Sequence, residues 1–235
     1  MNVRLITIML YLLPNLLSPT ASIETLPLNL QKIIPTLDGF IAESQKGLFR
    51  FLSHFKMEKK LNQIPYSLLN EHTKPTEYDF LLEPLVNGEN WGILSDGGLP
   101  TIADPGASLV HLANIKKIPI EVISGPSSIF YALLLSGFPA QKFMFHGYPP
   151  RRDMELWLKE IEKKKYSNLF IEAPYRNIKT LETLLSTLKP STNLFIGCDL
   201  TGPDEFIKTL KVHQWKKNTL PDIHKKPAIF LIYPN

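Results

Sequence analysis

The chain has 235 residues and a single cysteine, Cys198. That excludes an internal disulfide framework and a cysteine-rich zinc site, and it fits a reducing compartment such as the cytoplasm. The six histidines include no pair at i,i+4, so no metal ligand set is expected. Glycine patterns of the types G-x-G-x-x-G and G-x-x-x-x-G-K-[ST] are absent, which disfavours a dinucleotide or P-loop site. Mean hydropathy is −0.04, too low for a polytopic membrane protein, and no membrane partner is expected.

Charge is balanced in one part of the chain and skewed in the other. Residues 1–150 carry 11 Lys/Arg and 12 Asp/Glu, whereas residues 151–235 carry 15 and 10. A basic C-terminal part admits a polyanion such as RNA, although a solvated lysine-rich surface gives the same count.

The N-terminus has two readings. Arg4 followed by the apolar run Leu5–Leu13 resembles the start of a signal peptide, which would make the protein an exported one. The same run is too short to span a bilayer, which takes about 20 residues. Closed by Pro14, it fits a buried parallel strand with Ile6, Ile8, Leu10, Leu12 and Leu13 packed between helices. The strand is the reading adopted. A start at Met9 would remove the basic residue altogether.

Beyond it, strands and helices alternate. Helices are expected over 30–36, 47–55, 77–87, 107–116 and from Ser127/Ser128 to Gly137. Strands are expected over 40–42, 65–70, 91–95 and 119–123. This order implies an α/β domain with a largely parallel sheet. The stiff Pro149-Pro150 pair follows a strand near Phe143 and coincides with the change in charge. It divides the chain into domains 1–148 and 149–235. In the second domain, helices are expected over 153–164 and 177–188, and strands over 168–172, 194–198 and 228–233.

Two loops carry the chemical signal. Asp96 to Gly106, DGGLPTIADPG, leaves a strand at the edge where α/β sheets bind ligands. Gly97 and Gly98 allow close backbone approach, and Asp96 and Asp104 offer acceptors; alternatively, Asp104 simply caps a helix. The second loop, Ser124–Ser128, leads into a helix N-terminus whose free N–H groups suit an anion or serve as an ordinary cap. Glu172-Ala173-Pro174-Tyr175-Arg176 brings a carboxylate, an aromatic and a guanidinium together at a strand end, or makes a salt bridge and a turn. Cys198 sits in an apolar run and reads as a packed thiol.

SDGGLPTIADPG, ISGPSSIFYALLLSGFP and FMFHGYPPR, in that order, resemble the tetrapyrrole methylase superfamily, the class III S-adenosyl-L-methionine-dependent methyltransferases. IAESQK with FLSHF, and FIEAPYR, are similar to further blocks of its ribosomal RNA methylase branch. The resemblance covers Leu10 to Tyr233. It implies two α/β domains of the tetrapyrrole methylase fold with a cofactor cleft between them, in a homodimer. It implies that S-adenosyl-L-methionine meets Pro14, Asp96, Ile102, Ala103, Asp104, Ser128 and Ile129, with Glu172, Ala173 and Pro174 approaching from the second domain. The implied activity is 2′-O-methylation of a cytidine in small-subunit ribosomal RNA. The alternatives are methylation of a small molecule or another macromolecule, and a non-catalytic RNA- or protein-binding module. The family's first loop, TPIGNL, stands here as Leu13-Pro14-Asn15-Leu16-Leu17, without its glycine. IAEDTR stands as Ile41–Lys46, IAESQK, and the REL-T-K block as Cys198-Asp199-Leu200-Thr201-Gly202. The last two changes remove basic residues of the kind that touch a phosphate.

Overall fold

Five short strands build the first sheet of the computed structural model, which describes residues 8–234. The elements in chain order are β1 (Leu10–Leu12), α1 (Leu30–Ile33), β2 (Gly39–Ala42), α2 (Gln45–Leu52) and β3 (Tyr66–Leu68). They continue as α3 (Tyr78–Val86), β4 (Trp91–Leu94), α4 (Gly106–Ile115) and β5 (Ile120–Val122). The strand order is β3-β2-β4-β1-β5 and all pairings are parallel. Every residue of β2 and β4 is buried, as helices on both faces of a parallel sheet require. Leu10, Ile41 and Ile93 of the strands pack with Leu82 and Leu85 of α3 and Leu109 of α4.

Local chemistry explains the helix ends. The Ser44 hydroxyl caps α2 by accepting the Gly47 N–H at 2.9 Å. Leu48, Phe51 and Leu52 then fall on one buried face. The helix expected over 30–36 is α-helical only to Ile33 and continues as a 3₁₀ turn, Ile34–Thr36, that contains Pro35. Of the strand expected at the N-terminus, Leu10, Leu12 and Leu13 are buried; Ile6 and the possible signal segment before it lie outside the described residues.

The second sheet is built from β6 (Phe143–Phe145), β7 (Ser167–Glu172), β8 (Asn193–Cys198), β9 (Phe206–Lys211) and β10 (Ala228–Tyr233). Its helices are α5 (Ser128–Ser136), α6 (Met154–Glu162), α7 (Asn177–Thr187) and α8 (Val212–Trp215). The order is β6-β7-β10-β8-β9, with β6–β7 parallel and the other pairs antiparallel. Alternation along the strands fills both faces. Phe170, Ile196, Phe230 and Ile232 pack with α6, α7 and α8. Their neighbours Leu169, Phe195, Ile229 and Leu231 pack with Ile129, Ala132 and Leu133 of α5.

Contacts divide the described residues into one unit of residues 8–16 and Ser22–Pro126 and another of Leu17–Ala21 and residues 127–234. This division falls before the Pro-Pro position expected from charge, because α5 and β6 belong to the second sheet's packing. Strand β9 and helix α8 were not expected from the sequence.

Candidate cofactor site

In the first unit, β2 connects outward to β3 at one edge of the sheet, while β4 connects to β5 at the other. The loops leaving β2 and β4 therefore diverge, and the crevice between them is the switch point where open α/β sheets take ligands. A cavity of about 10 Å³ lies there, lined by Ala42, Glu43, Ser95, Pro100, Asp104 and Gly106. It has room for about one water molecule.

The loop after β1 is tied to the loop after β4 by the buried amide of Asn15. Its side-chain Nδ2 donates to the Ser95 carbonyl at 2.8 Å and its Oδ1 accepts the Leu16 N–H at 2.8 Å. Its own N–H donates to the Gly98 carbonyl at 2.7 Å. Pro14 lies against the loop after β5, where a Cβ placed on Gly125 would come 2.1 Å from the proline Cβ. A bare backbone at position 125 is what lets the two loops meet.

The loop after β4 is tied to β2 and α2 in turn. The Asp96 N–H donates to Glu43 Oε2 at 2.9 Å. The Ser44 hydroxyl lies 2.8 and 2.9 Å from the two carboxylate oxygens of Asp96 and donates to them. Arg50 Nη2 donates to the Asp96 carbonyl at 3.3 Å. Further along, Thr101 and Ala103 have φ of 73° and 63°, a left-handed conformation that costs an L-residue about 1–2 kcal/mol. Asp104 holds the bend, its carboxylate accepting the Thr101 N–H at 2.8 Å and the Gly106 N–H at 2.7 Å. The Ile102 side chain between them is left 42% exposed.

Burial pushes the Glu43 carboxyl above its ordinary value, opposed by the Asp96 N–H and aided by the charges of Asp96, Asp104 and Glu71. Asp104 is raised by burial as well, against the pull of its two backbone hydrogen bonds. A cation brought to this edge would relieve both.

Pro14, Asp96, Ile102, Ala103 and Asp104 thus fall on the knitted loops of the first unit. The other expected residues belong to the second unit. Ser128 opens α5, and Ile129 is 8% exposed within the α5 core. Glu172 is 4% exposed, and its carboxylate accepts the Ala173 N–H at 2.8 Å and the Thr180 hydroxyl at 2.6 Å. Arg176 Nη2 lies 3.6 Å from the same group, so the salt bridge and the turn over Pro174–Arg176 are both present. Asn15, Glu43, Ser44 and Gly47 were not singled out as site residues from sequence. Ser44 three residues before Gly47 was the available sign of a cap; nothing in sequence pairs either Glu43 or Ser44 with Asp96.

The first unit's donor set fits S-adenosyl-L-methionine. Its carboxylates suit a sulfonium and an ammonium group, the exposed Gly97 admits close backbone approach, and Leu99 and Ile102 supply apolar surface, whereas Gly98 is buried against the loop after β1. Among the described residues, no group of His, Cys, Asp and Glu is placed to hold a metal ion.

The fold is matched by the solved structure of the methyltransferase CobJ, with a TM-score of 0.64 at 10% identity over 97% of this chain and 98% of that one. The class defined by the fold is therefore that of α/β proteins built on two five-stranded sheets. The profile of the Tetrapyrrole (Corrin/Porphyrin) Methylases matches residues 26–214. The chain belongs to that family, and it is a methyltransferase that uses S-adenosyl-L-methionine. It is 29% identical over 185 residues to a Thermotoga maritima protein named ribosomal RNA small subunit methyltransferase I, covering 78% of this chain and 81% of that one. A Hydrogenobaculum protein of the same name is 29% identical over 198 residues, covering 83% and 82%.

Proposed function

We propose that this protein methylates the 2′-oxygen of a cytidine in small-subunit ribosomal RNA, in the cytoplasm and as a homodimer. The similarity to proteins of that name over 78% or more of the chain carries the reading. The excess of basic residues in 151–235 supports a polyanionic substrate. Exposed Phe130, Leu134, Phe143 and Met144 on α5 and β6 support association with a second copy.

The cofactor sits on the loop from Asp96 to Asp104 at the carboxyl edge of the first sheet. Bound there, S-adenosyl-L-methionine supplies an electrophilic methyl group on a sulfonium. The chain's part is to hold that group in line with the acceptor oxygen. Asp104 fixes the strained bend, and the Glu43–Ser44 pair fixes the position of Asp96. Tritium transfer from labelled cofactor to RNA, protein and small-molecule fractions tests the reading. Label in RNA is expected; label only in protein or small molecules would overturn it.

A further inference from the structure

Away from the cofactor loops, the second unit contains a groove of about 410 Å³ that is lined by Arg151, Arg176, Lys179, Thr180 and Thr183, and by the 153–156 segment. It lies where α6 and α7 begin. The residues preceding these two helices, Asp153 and Arg176, make no side-chain capping bond. The start of α6 therefore brings first-turn N–H groups and a positive dipole end to the groove, while α7, which continues the turn Pro174–Arg176, contributes side chains. That alone would be no site. What distinguishes it is the cluster of cationic side chains in the same walls and the way one of them is built.

Arg176 is set in place from below. The nearly fully buried Glu172 lies 3.6 Å from its guanidinium and is itself held by Ala173 and Thr180. The Arg176 side chain keeps 24% exposure, so a guanidinium anchored at one edge presents its remaining N–H groups outward. Lys179 lies one turn further along α7, and its pairing with Glu182 at 3.9 Å is exposed and weak. The Thr180 and Thr183 hydroxyls on the same helix donate to Glu172 and to the Lys179 carbonyl, which leaves the cations as the groove's side-chain donors.

The geometry points to this groove as a seat for the phosphodiester backbone of the RNA substrate, with Arg151, Arg176 and Lys179 as its phosphate contacts. This deepens the RNA reading proposed above and rests on it. Charge decides for a phosphodiester. The lining includes Asp153 and Glu155 as well as the three cations, so the groove is only mildly positive. A singly charged phosphodiester suits it better than a multiply charged phosphate monoester. Its volume falls in the range of nucleotide-sized ligand sites, about 300–1,000 Å³. Contacts of this kind position a nucleic acid without reading its sequence.

The test is the salt dependence of binding to a small-subunit ribosomal RNA transcript, measured on the full chain by fluorescence anisotropy. Replacing Arg151 and Lys179 with glutamine (R151Q/K179Q) spares the Glu172–Arg176 pair, so folding is preserved. The plot of log K against log[salt] should lose about one unit of slope per contact, about two in all. The melting temperature and the affinity for S-adenosyl-L-methionine should stay at wild-type values. K216Q/K217Q, which removes two lysines at the end of α8, is the control and should change the slope less. An unchanged slope in R151Q/K179Q, or an equal loss in the control, would overturn the groove while leaving the RNA reading intact. If the wild-type chain binds no RNA, the substrate reading itself fails and the groove with it.

Discussion

At position 96 the carboxylate accepts the Ser44 hydroxyl, while the amide of the same residue is held by Glu43. Removing the carboxylate should therefore act twice. We expect Asp96→Ala to weaken S-adenosyl-L-methionine binding by about 1–3 kcal/mol and to lower the melting temperature. A fall in melting temperature with unchanged Kd would assign Asp96 a purely structural part. Glu43 makes a different prediction because its carboxyl is raised from an ordinary value of 4.5. A raised carboxyl binds its proton more tightly in the folded chain. Its contribution to stability is thus fullest below pH 4.5 and is lost as the pH rises through the folded value. Glutamine at 43 keeps an acceptor for the Asp96 N–H and removes the charge. The melting temperature of Glu43→Gln relative to wild type should therefore climb across that window; a flat difference would contradict the assignment. Cys198 is buried and pushed up to about 11. Iodoacetamide at pH 8 should leave the folded protein unmodified and label it only after denaturation.

Elements were legible in proportion to how local their causes are. Strand β10 was read from end to end, since Ala228–Tyr233 is an apolar run closed by Pro234. Helix α5 was read from its serines and from Gly137, which takes φ of 71° just after it. Strand β9 was missed because FIKTLK follows a polar turn and carries two lysines in six residues. Its place at the edge of the sheet tolerates them. The antiparallel pairing of the second sheet was not legible either, since pairing direction depends on the route of long connections rather than on strand composition. The same limit applies to the site. The Asp96–Asp104 loop stood out through its glycines and acids, but its anchors come from 52 and 53 residues away along the chain. At the close approach of two loops, Gly125→Ala should drive a methyl group into the Pro14 ring. We expect a cost of about 1–3 kcal/mol from that overpacking, with weakened cofactor binding. A variant as stable as wild type, with the same Kd, would show that the loops need not touch.

The two sheets of the molecule divide the chemistry between them. The parallel sheet of the first unit provides a strained, acid-rich loop at its switch point, which suits a cationic cofactor. The mixed sheet of the second unit carries the basic excess and the Arg151–Arg176–Lys179 groove. Among the described residues, no helix is long and apolar enough to cross a membrane. The most direct test of the whole account is nucleoside mass spectrometry of small-subunit ribosomal RNA after incubation with the purified protein and S-adenosyl-L-methionine. A gain of 2′-O-methylcytidine that depends on the cofactor and is reduced by Asp96→Ala is expected. RNA that remains unmodified under these conditions, or a methyl group found on a base instead of a ribose, would contradict it.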